Sequence, residues 1–275
     1  MAVVIDQNES LSHARASGAA RIDPRAEISP RARIGAGCVV GPFAVIGDSV
    51  TLGPGCVIHA HGVVTGPTTL GERNEVFPFA CIGGAPQDRR HRGEPTRLVV
   101  GSSNVFREHV TVSRGTLHGG SLTTVGDGNL LMAYCHVAHD CHLGSNITMA
   151  NHATLAGHVI VEDHAVFGGL VGIGAFLRIG ESAMVAAGSM VERDVPPFCT
   201  VHGDRARLRG VNRVGLERRG LAQSARGEIK EIFKALKSLG TTLEEVAERF
   251  EGRELSAPAR RMIDFLKASD RGLAR

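Results

Sequence analysis

From Ile22 to Ile82 an aliphatic residue returns at every sixth position: Ile22, Ile28, Ile34, Val40, Ile46, Leu52, Ile58, Val64, Leu70, Val76 and Ile82. The series resumes at Val125 and continues through Leu131, Val137, Leu143, Met149, Leu155, Val161, Phe167, Ile173, Ile179, Val185 and Val191. A helix repeats its apolar face every ~3.6 residues and a strand every ~2, so neither alone sustains such a period. A stack of short strands with a corner after each one does, and the pattern predicts a parallel β-helix.

The rest of each hexad fits that architecture. Gly often follows the aliphatic residue, as at Gly35, Gly41, Gly47, Gly53, Gly71, Gly101, Gly126, Gly144, Gly168, Gly174 and Gly180. Corners need backbone angles that a Cβ resists, which predicts that these glycines adopt them. Four positions after the aliphatic residue comes a small or apolar one, among them Cys38, Ala44, Val50, Cys56, Ala80, Cys135, Cys141, Ile147, Ala153, Val159 and Ala165. A narrow prism has no room for large rings, and the chain has no Trp and a single Tyr. Hexads of this kind resemble the left-handed β-helix, an exception to the rule of right-handed crossovers.

The hexads are interrupted over residues 83–98 and 114–124, while Val100, Phe106 and Val112 keep the period between the two breaks. Loops held on a rigid scaffold commonly carry function. After Phe198 the chain becomes charged and helical in period. We expect helices over about 212–219 and 224–239, the second with Ile229, Ile232, Phe233, Leu236 and Leu239 on one stripe. A third opens on a Thr242/Glu245 capping box, and a fourth opens at Ser256 with Pro258 close behind. The fold class is therefore mainly β: a left-handed parallel β-helix of hexapeptide repeats over residues 21–204, a polar leader over 1–20 and a C-terminal α-helical domain over 205–275.

A net charge of +3 is too weak to argue for nucleic acid. No apolar run approaches the roughly 18 residues of a membrane span, so no stable membrane insertion is expected. The leader lacks the basic-then-apolar layout of a signal peptide. Cys38, Cys56, Cys135 and Cys141 fall in the inward slot and read as buried thiols of a cytoplasmic protein.

Histidines cluster in the second hexad block, at His136, His139, His142, His152, His158 and His164. They fit stacked surface rings, metal ligands, or one catalytic base among passengers. Metal is disfavoured: no pair shows the five-residue ligand spacing of the hexapeptide-repeat carbonic anhydrases.

Several motifs narrow the choice: the segment from Asn129 to Cys141 with its His136-Val-Ala-His139-Asp140, the loop Gly93-Glu-Pro-Thr-Arg97, Arg114-Gly-Thr, Gly119-Gly120, Leu122-Thr123, Asn151, Ala153 to Val159, and Asp194-Val-Pro-Pro-Phe198. With Asn212, Gly215-Leu216 and Arg218-Arg219-Gly220, they make the chain resemble the UDP-N-acetylglucosamine O-acyltransferases of lipid A biosynthesis, from about Ile22 to Arg275. The resemblance implies transfer of a 3-hydroxyacyl chain from acyl carrier protein to the sugar 3-hydroxyl. It also implies a homotrimer with sites in grooves between adjacent β-helices, with no cofactor and no metal. By the same resemblance His139 is the general base, Asp140 orients it, and the Gly157 N–H receives the oxyanion. Gln87, Asp88, Arg90, His136 and His158 would bind the sugar side of the substrate, and Asn212, Arg218 and Arg219 the nucleotide. Gly174 and Ala187 would line the acyl chain, Ala187 standing where residue size sets its length. His139 and Asp140 are sequence neighbours, and neighbours on a regular strand face opposite ways, so the pair can meet only at a corner.

The chain departs from the family where Gly174-Ala175-Phe176 replaces a common His-Gln-Phe and where Val214 replaces a usual Glu. An N-acyltransferase acting on a 3-amino UDP-sugar therefore stays open as an alternative. The basic residues Arg205, Arg207, Arg209 and Lys230 are candidates to meet the acidic carrier protein.

Overall fold

The computed structural model describes residues 18–238 and 240–275; the leader up to residue 17 and Leu239 lie outside the described residues. The hexads wind into a left-handed parallel β-helix whose three faces are sheets of eleven, nine and eight strands. The first face runs from Arg21–Ile22, the second from Glu27–Ile28 and the third from Arg33–Ile34. Strands pair in register with the coil above, Val39 with Val57 and Val45 with Val63, so that successive coils lie about 4.8 Å apart.

The aliphatic stacks from Val40 onward are buried, while Ile22 is exposed at the open end of the prism. The small-residue slot is completely buried from Cys38 to Ala165 and fills the gaps between the stacks. The cysteines of the chain are free thiols.

The glycines after each aliphatic residue do not supply the corner angles. Positive φ falls two positions later, at residues such as Phe43, His61, Phe79, Tyr134, Asp140 and His158. Those non-glycine corners are held from the coil before: Phe43 N–H donates to Arg25 O at 3.2 Å, and His158 N–H to His139 O at 3.0 Å. Such a residue costs on the order of 1–3 kcal/mol unless its surroundings over-determine it, as these inter-coil bonds do. The glycines answer a different demand. A Cβ on Gly53 would lie 2.6 Å from the backbone C and O of Gly71 in the next coil.

Both interruptions leave the prism at the same edge, between the second and third faces. The first departs after the strand Cys81–Gly84 and returns at Arg97–Val100; the second departs after Thr111–Ser113 and returns at Leu122–Val125. The returning strand thus begins one to two residues before each expected loop end. The two strands pair, Arg97 with Leu122, so the loops are stacked one coil apart.

The edge between the first and second faces carries a ladder of rings. Phe43, His61, Phe79, His109, Tyr134 and His152 stack in succession with centroids 4.6–5.2 Å apart. Phe43, Phe79 and Tyr134 are exposed.

The chain leaves the prism through an antiparallel hairpin, Cys199–His202 with Arg207–Val211, so strand structure extends past residue 204 into the stretch expected to be helical. The alternation of Arg207-Leu208-Arg209 accounts for it, with Leu208 buried and both arginines exposed. Four helices follow: α1 Arg213–Arg218, α2 Gln223–Leu236, α3 Leu243–Arg249 and α4 Ala257–Lys267. Helix α2 ends before the expected residue 239. The capping box forms, with Glu245 N–H donating to Thr242 Oγ1 at 3.1 Å and Thr242 N–H to Glu245 Oε2 at 2.9 Å. Ser256 does not cap α4 with its side chain; its hydroxyl and N–H both turn to Glu228 instead. The C-terminal segment returns to the prism, where Ser269 donates to Asp194 Oδ2 at 2.8 Å. No helix among the described residues is long and apolar enough to cross a membrane.

Candidate active site

The edge between the second and third faces gathers the chemistry. Moving along it from coil to coil come the two loops, then the corner His139-Asp140, the corner Gly157-His158 and the corner Gly174 to Phe176. His139 and Asp140 sit between the strands His136–Val137 and His142–Leu143, and Asp140 has φ 59. The corner turns both side chains to one place, and His139 Nδ1 lies 2.8 Å from Asp140 Oδ2.

The Asp140 carboxylate is buried and held from the second loop. Thr116 N–H donates to Oδ1 at 2.8 Å and Thr116 Oγ1 to Oδ2 at 2.6 Å. Asp140 N–H in turn donates to Thr123 Oγ1 at 2.8 Å. Gly119 closes the cradle, since a Cβ there would stand 2.1 Å from the carboxylate carbon. A carboxylate offers no proton, so the contact assigns the neutral ring's proton to Nδ1 and leaves the lone pair on Nε2.

Gly157 lies across from that ring. A Cβ at this position would fall 2.6 Å from His139 Cε1 and 3.0 Å from Nε2, so only glycine lets the backbone come so close. Among the described residues its N–H has no hydrogen-bond partner within the chain. His158 follows at the same corner, its ring edge-on to His139 with centroids 5.2 Å apart and stacked on Phe176 at 4.3 Å.

Burial disfavours the charged form of two rings at the site. Burial pushes His158 below the ordinary histidine range; Asp140 opposes the shift, while His139, Arg90 and His118 add to it. Burial, with a contribution from His139, does the same to His136, whose Nδ1 lies 2.7 Å from Thr111 Oγ1. In the first loop Arg90 grips Asp88, with Nη2 2.8 Å from Oδ2, and holds that carboxyl well below its usual range. His118 of the second loop approaches the same oxygen at 3.5 Å, and Gln87 is exposed beside Asp88.

His139, Asp140, Gly157, His158 and His136 thus come together, with Asp88 and Arg90 over them, and Gly174 lies two coils further on. Ala187, Asn212, Arg218 and Arg219 do not reach this edge within one chain. Ala187 is at the edge of the aromatic ladder. Asn212 caps α1, its Oδ1 accepting from Gly215 N–H at 3.1 Å and its Nδ2 donating to Ser182 O at 2.9 Å. Arg219 pairs with Glu181 at 2.6 Å and Arg218 is exposed; both stand near the edge between the third and first faces. Thr116 and His118 escaped the sequence reading as individual site residues, although the break in the hexads marked their loop.

His139, Asp140 and His158 offer ligand atoms within 4.8 Å of one another, a spacing that a metal ion could bridge. The Asp140 oxygens, however, are already committed to Thr116 and His139. The buried thiols of Cys135 and Cys141 are poor nucleophiles: burial pushes Cys141 up to about 12 and Cys135 up to about 11.

Known proteins similar to this chain share its family and its fold. Residues 194–274 match the family described as UDP-N-acetylglucosamine O-acyltransferase, domain 2. Residues 31–66 and 122–157 match the bacterial transferase hexapeptide family. The acyl-[acyl-carrier-protein]–UDP-N-acetylglucosamine O-acyltransferase of Myxococcus xanthus is 46% identical over 212 residues, 76% of this chain and 82% of its own length. The enzyme of the same name from Halorhodospira halophila is 45% identical over 256 residues, 93% of this chain and 99% of its own. The crystal structure of UDP-N-acetylglucosamine acyltransferase from Francisella novicida superposes with a TM-score of 0.89 at 32% identity, covering 92% of this chain and 94% of that one.

Proposed function

The chain belongs to the acyl-[acyl-carrier-protein]–UDP-N-acetylglucosamine O-acyltransferase family, and from that premise we propose that it moves a 3-hydroxyacyl chain from acyl carrier protein to the 3-hydroxyl of UDP-N-acetylglucosamine, the first step of lipid A biosynthesis. His139 Nε2 takes the hydroxyl proton as the sugar oxygen attacks the thioester carbonyl. Asp140 stabilises the imidazolium that forms. The Gly157 N–H donates to the developing oxyanion. The tetrahedral intermediate then expels the carrier thiolate, which recovers the proton from His139. A positioned base of this kind is worth about 10²–10⁴ in rate. The observation that carries the reading is the 2.8 Å contact between His139 Nδ1 and a buried Asp140 anchored by Thr116 and Thr123, which leaves Nε2 free beside Gly157. Asp88, Arg90, His136 and His158 surround the place where the sugar must sit.

The working unit in this proposal is a cytoplasmic homotrimer with its sites between neighbouring β-helices. Two features support it. Asn212, Arg218, Arg219 and Ala187 stand on edges other than that of His139, so a neighbouring copy is needed to bring them to the same substrate. The exposed ring ladder also offers apolar surface for a neighbour to cover. The carrier protein, an acidic partner, would meet Arg205, Arg207, Arg209 and Lys230; Lys230 also rims a cavity of about 650 Å³ floored by Val211, Leu216 and Phe233.

The test is to offer defined 3-hydroxyacyl carrier thioesters with the 3-hydroxy and the 3-amino UDP-sugar, and to weigh the product. An ester formed on UDP-N-acetylglucosamine, lost in His139→Ala with the fold intact, is the expected result. Undiminished turnover by His139→Ala, or product from the amino sugar alone, would refute it.

A further inference from the structure

The donor's acyl chain starts at the carbon beside His139 Nε2 and gains from apolar surface, and the second face of the prism leads from that corner to an apolar hollow. The outward positions of that face, in register from the catalytic coil, are His136, Thr154, Gly172 and Met190. Bulk decreases along the row until Gly172, where there is no side chain. A Cβ on Gly172 would lie 2.7 Å from Met190 Sδ, so the Met190 thioether is folded back over the hollow. Leu170 and Phe176 flank the hollow in the same coil. Leu170, Phe176 and Met190 are 64%, 51% and 43% exposed, a cluster of large apolar side chains left in water around one depression. Phe176 also stacks on His158, which makes the depression continuous with the catalytic corner.

We propose that Met190 closes the far end of the acyl trough and sets the longest 3-hydroxyacyl chain that the enzyme transfers well. The proposal rests on the acyl-transfer reading and adds a specificity residue to it. Three coil steps separate His136 from Met190, roughly 14 Å. An extended chain advances about 1.2 Å per bond, so one coil corresponds to about four carbons. Ala187, where the family resemblance places the length determinant, lies on the ladder edge and off this row.

The experiment measures kcat/KM for a homologous series of 3-hydroxyacyl carrier thioesters with UDP-N-acetylglucosamine. Met190→Ala should move the optimum to chains up to about four carbons longer, each newly buried methylene raising kcat/KM about fourfold. Met190→Phe should move it to shorter chains, and Ala187→Gly serves as the comparison. Met190 is exposed, so melting temperatures close to wild type are expected for both variants. Two folded variants with the wild-type length profile, or a shift confined to Ala187→Gly, would overturn the proposal. A wild-type enzyme that transfers nothing to UDP-N-acetylglucosamine would instead bring down the acyl-transfer reading and this inference with it.

Discussion

Gly157→Ala adds one carbon at the point where it meets the reacting ring. The new Cβ would stand 2.6 Å from His139 Cε1, 3.0 Å from Nε2 and 3.1 Å from Nδ1, against an ordinary contact of at least 3.4 Å. The ring must therefore retreat by close to 1 Å, and a misplacement of about that size costs on the order of 10²-fold in rate. It cannot retreat freely. Asp140 holds it at 2.8 Å, and Asp140 is itself fixed by Thr116 and pressed against Gly119. Alanine keeps the oxyanion-binding N–H, and Gly157 does not adopt a positive φ, so neither the oxyanion contact nor the backbone explains a loss. The assay is steady-state transfer with both substrates varied. We expect kcat to fall about a hundredfold, KM for both substrates to stay near wild type, and the denaturation midpoint to change little. A double-mutant cycle then isolates the cause: with His139 already replaced by Ala the clash is gone, and Gly157→Ala should cost far less. An equal loss in both backgrounds, or a loss of less than a few-fold on its own, would refute the argument that glycine is needed here to admit the ring.

Thr116→Val removes the 2.6 Å hydroxyl bond to the buried Asp140 carboxylate; urea denaturation should show a loss of about 1.5–3 kcal/mol, the worth of a hydrogen bond to a charged group, with a fall in kcat. Gly53→Ala drives a Cβ to 2.6 Å from the Gly71 backbone, where no side chain can give way; thermal melting should show destabilisation of about 1–3 kcal/mol or more, with activity kept by the folded fraction. Burial depresses His136 below 6.5, so below that pH the unfolded chain binds a proton that the folded chain resists. Stability from this residue is therefore fully present above about pH 6.5 and is lost as pH falls from there towards the folded-state value; His136→Gln should flatten that part of a stability–pH curve.

The prism was legible in the linear order of residues because its period is local. Each hexad must place one large and one small apolar side chain inward, and Val40 and Ala44 record that demand as clearly as Phe167 and Val171 do. The helical domain was legible for the same reason, through the Thr242 capping box and the apolar stripe of α2. The corner glycines misled, because two demands share one residue type. The backbone of the next coil, absent from any local window, excludes a Cβ at Gly53, whereas the left-handed angle two positions later is imposed by inter-coil hydrogen bonds on whatever residue stands there.

The same division runs through the site. The residue types of a proton-transfer pair could be read at His139 and Asp140, and so could the breaks that house the loops. Which groups meet could not. Asp140 takes two hydrogen bonds from Thr116, 24 residues earlier, only because both insertions leave at one edge and stack in register. Ala187 stands apart from His139 because an edge is chosen by a residue's place in the coil, and Asn212 because the chain has left the prism before it caps α1. Local periodicity decides what each segment becomes; the stacking of coils, a contact made over distances that no short window spans, decides what each side chain faces.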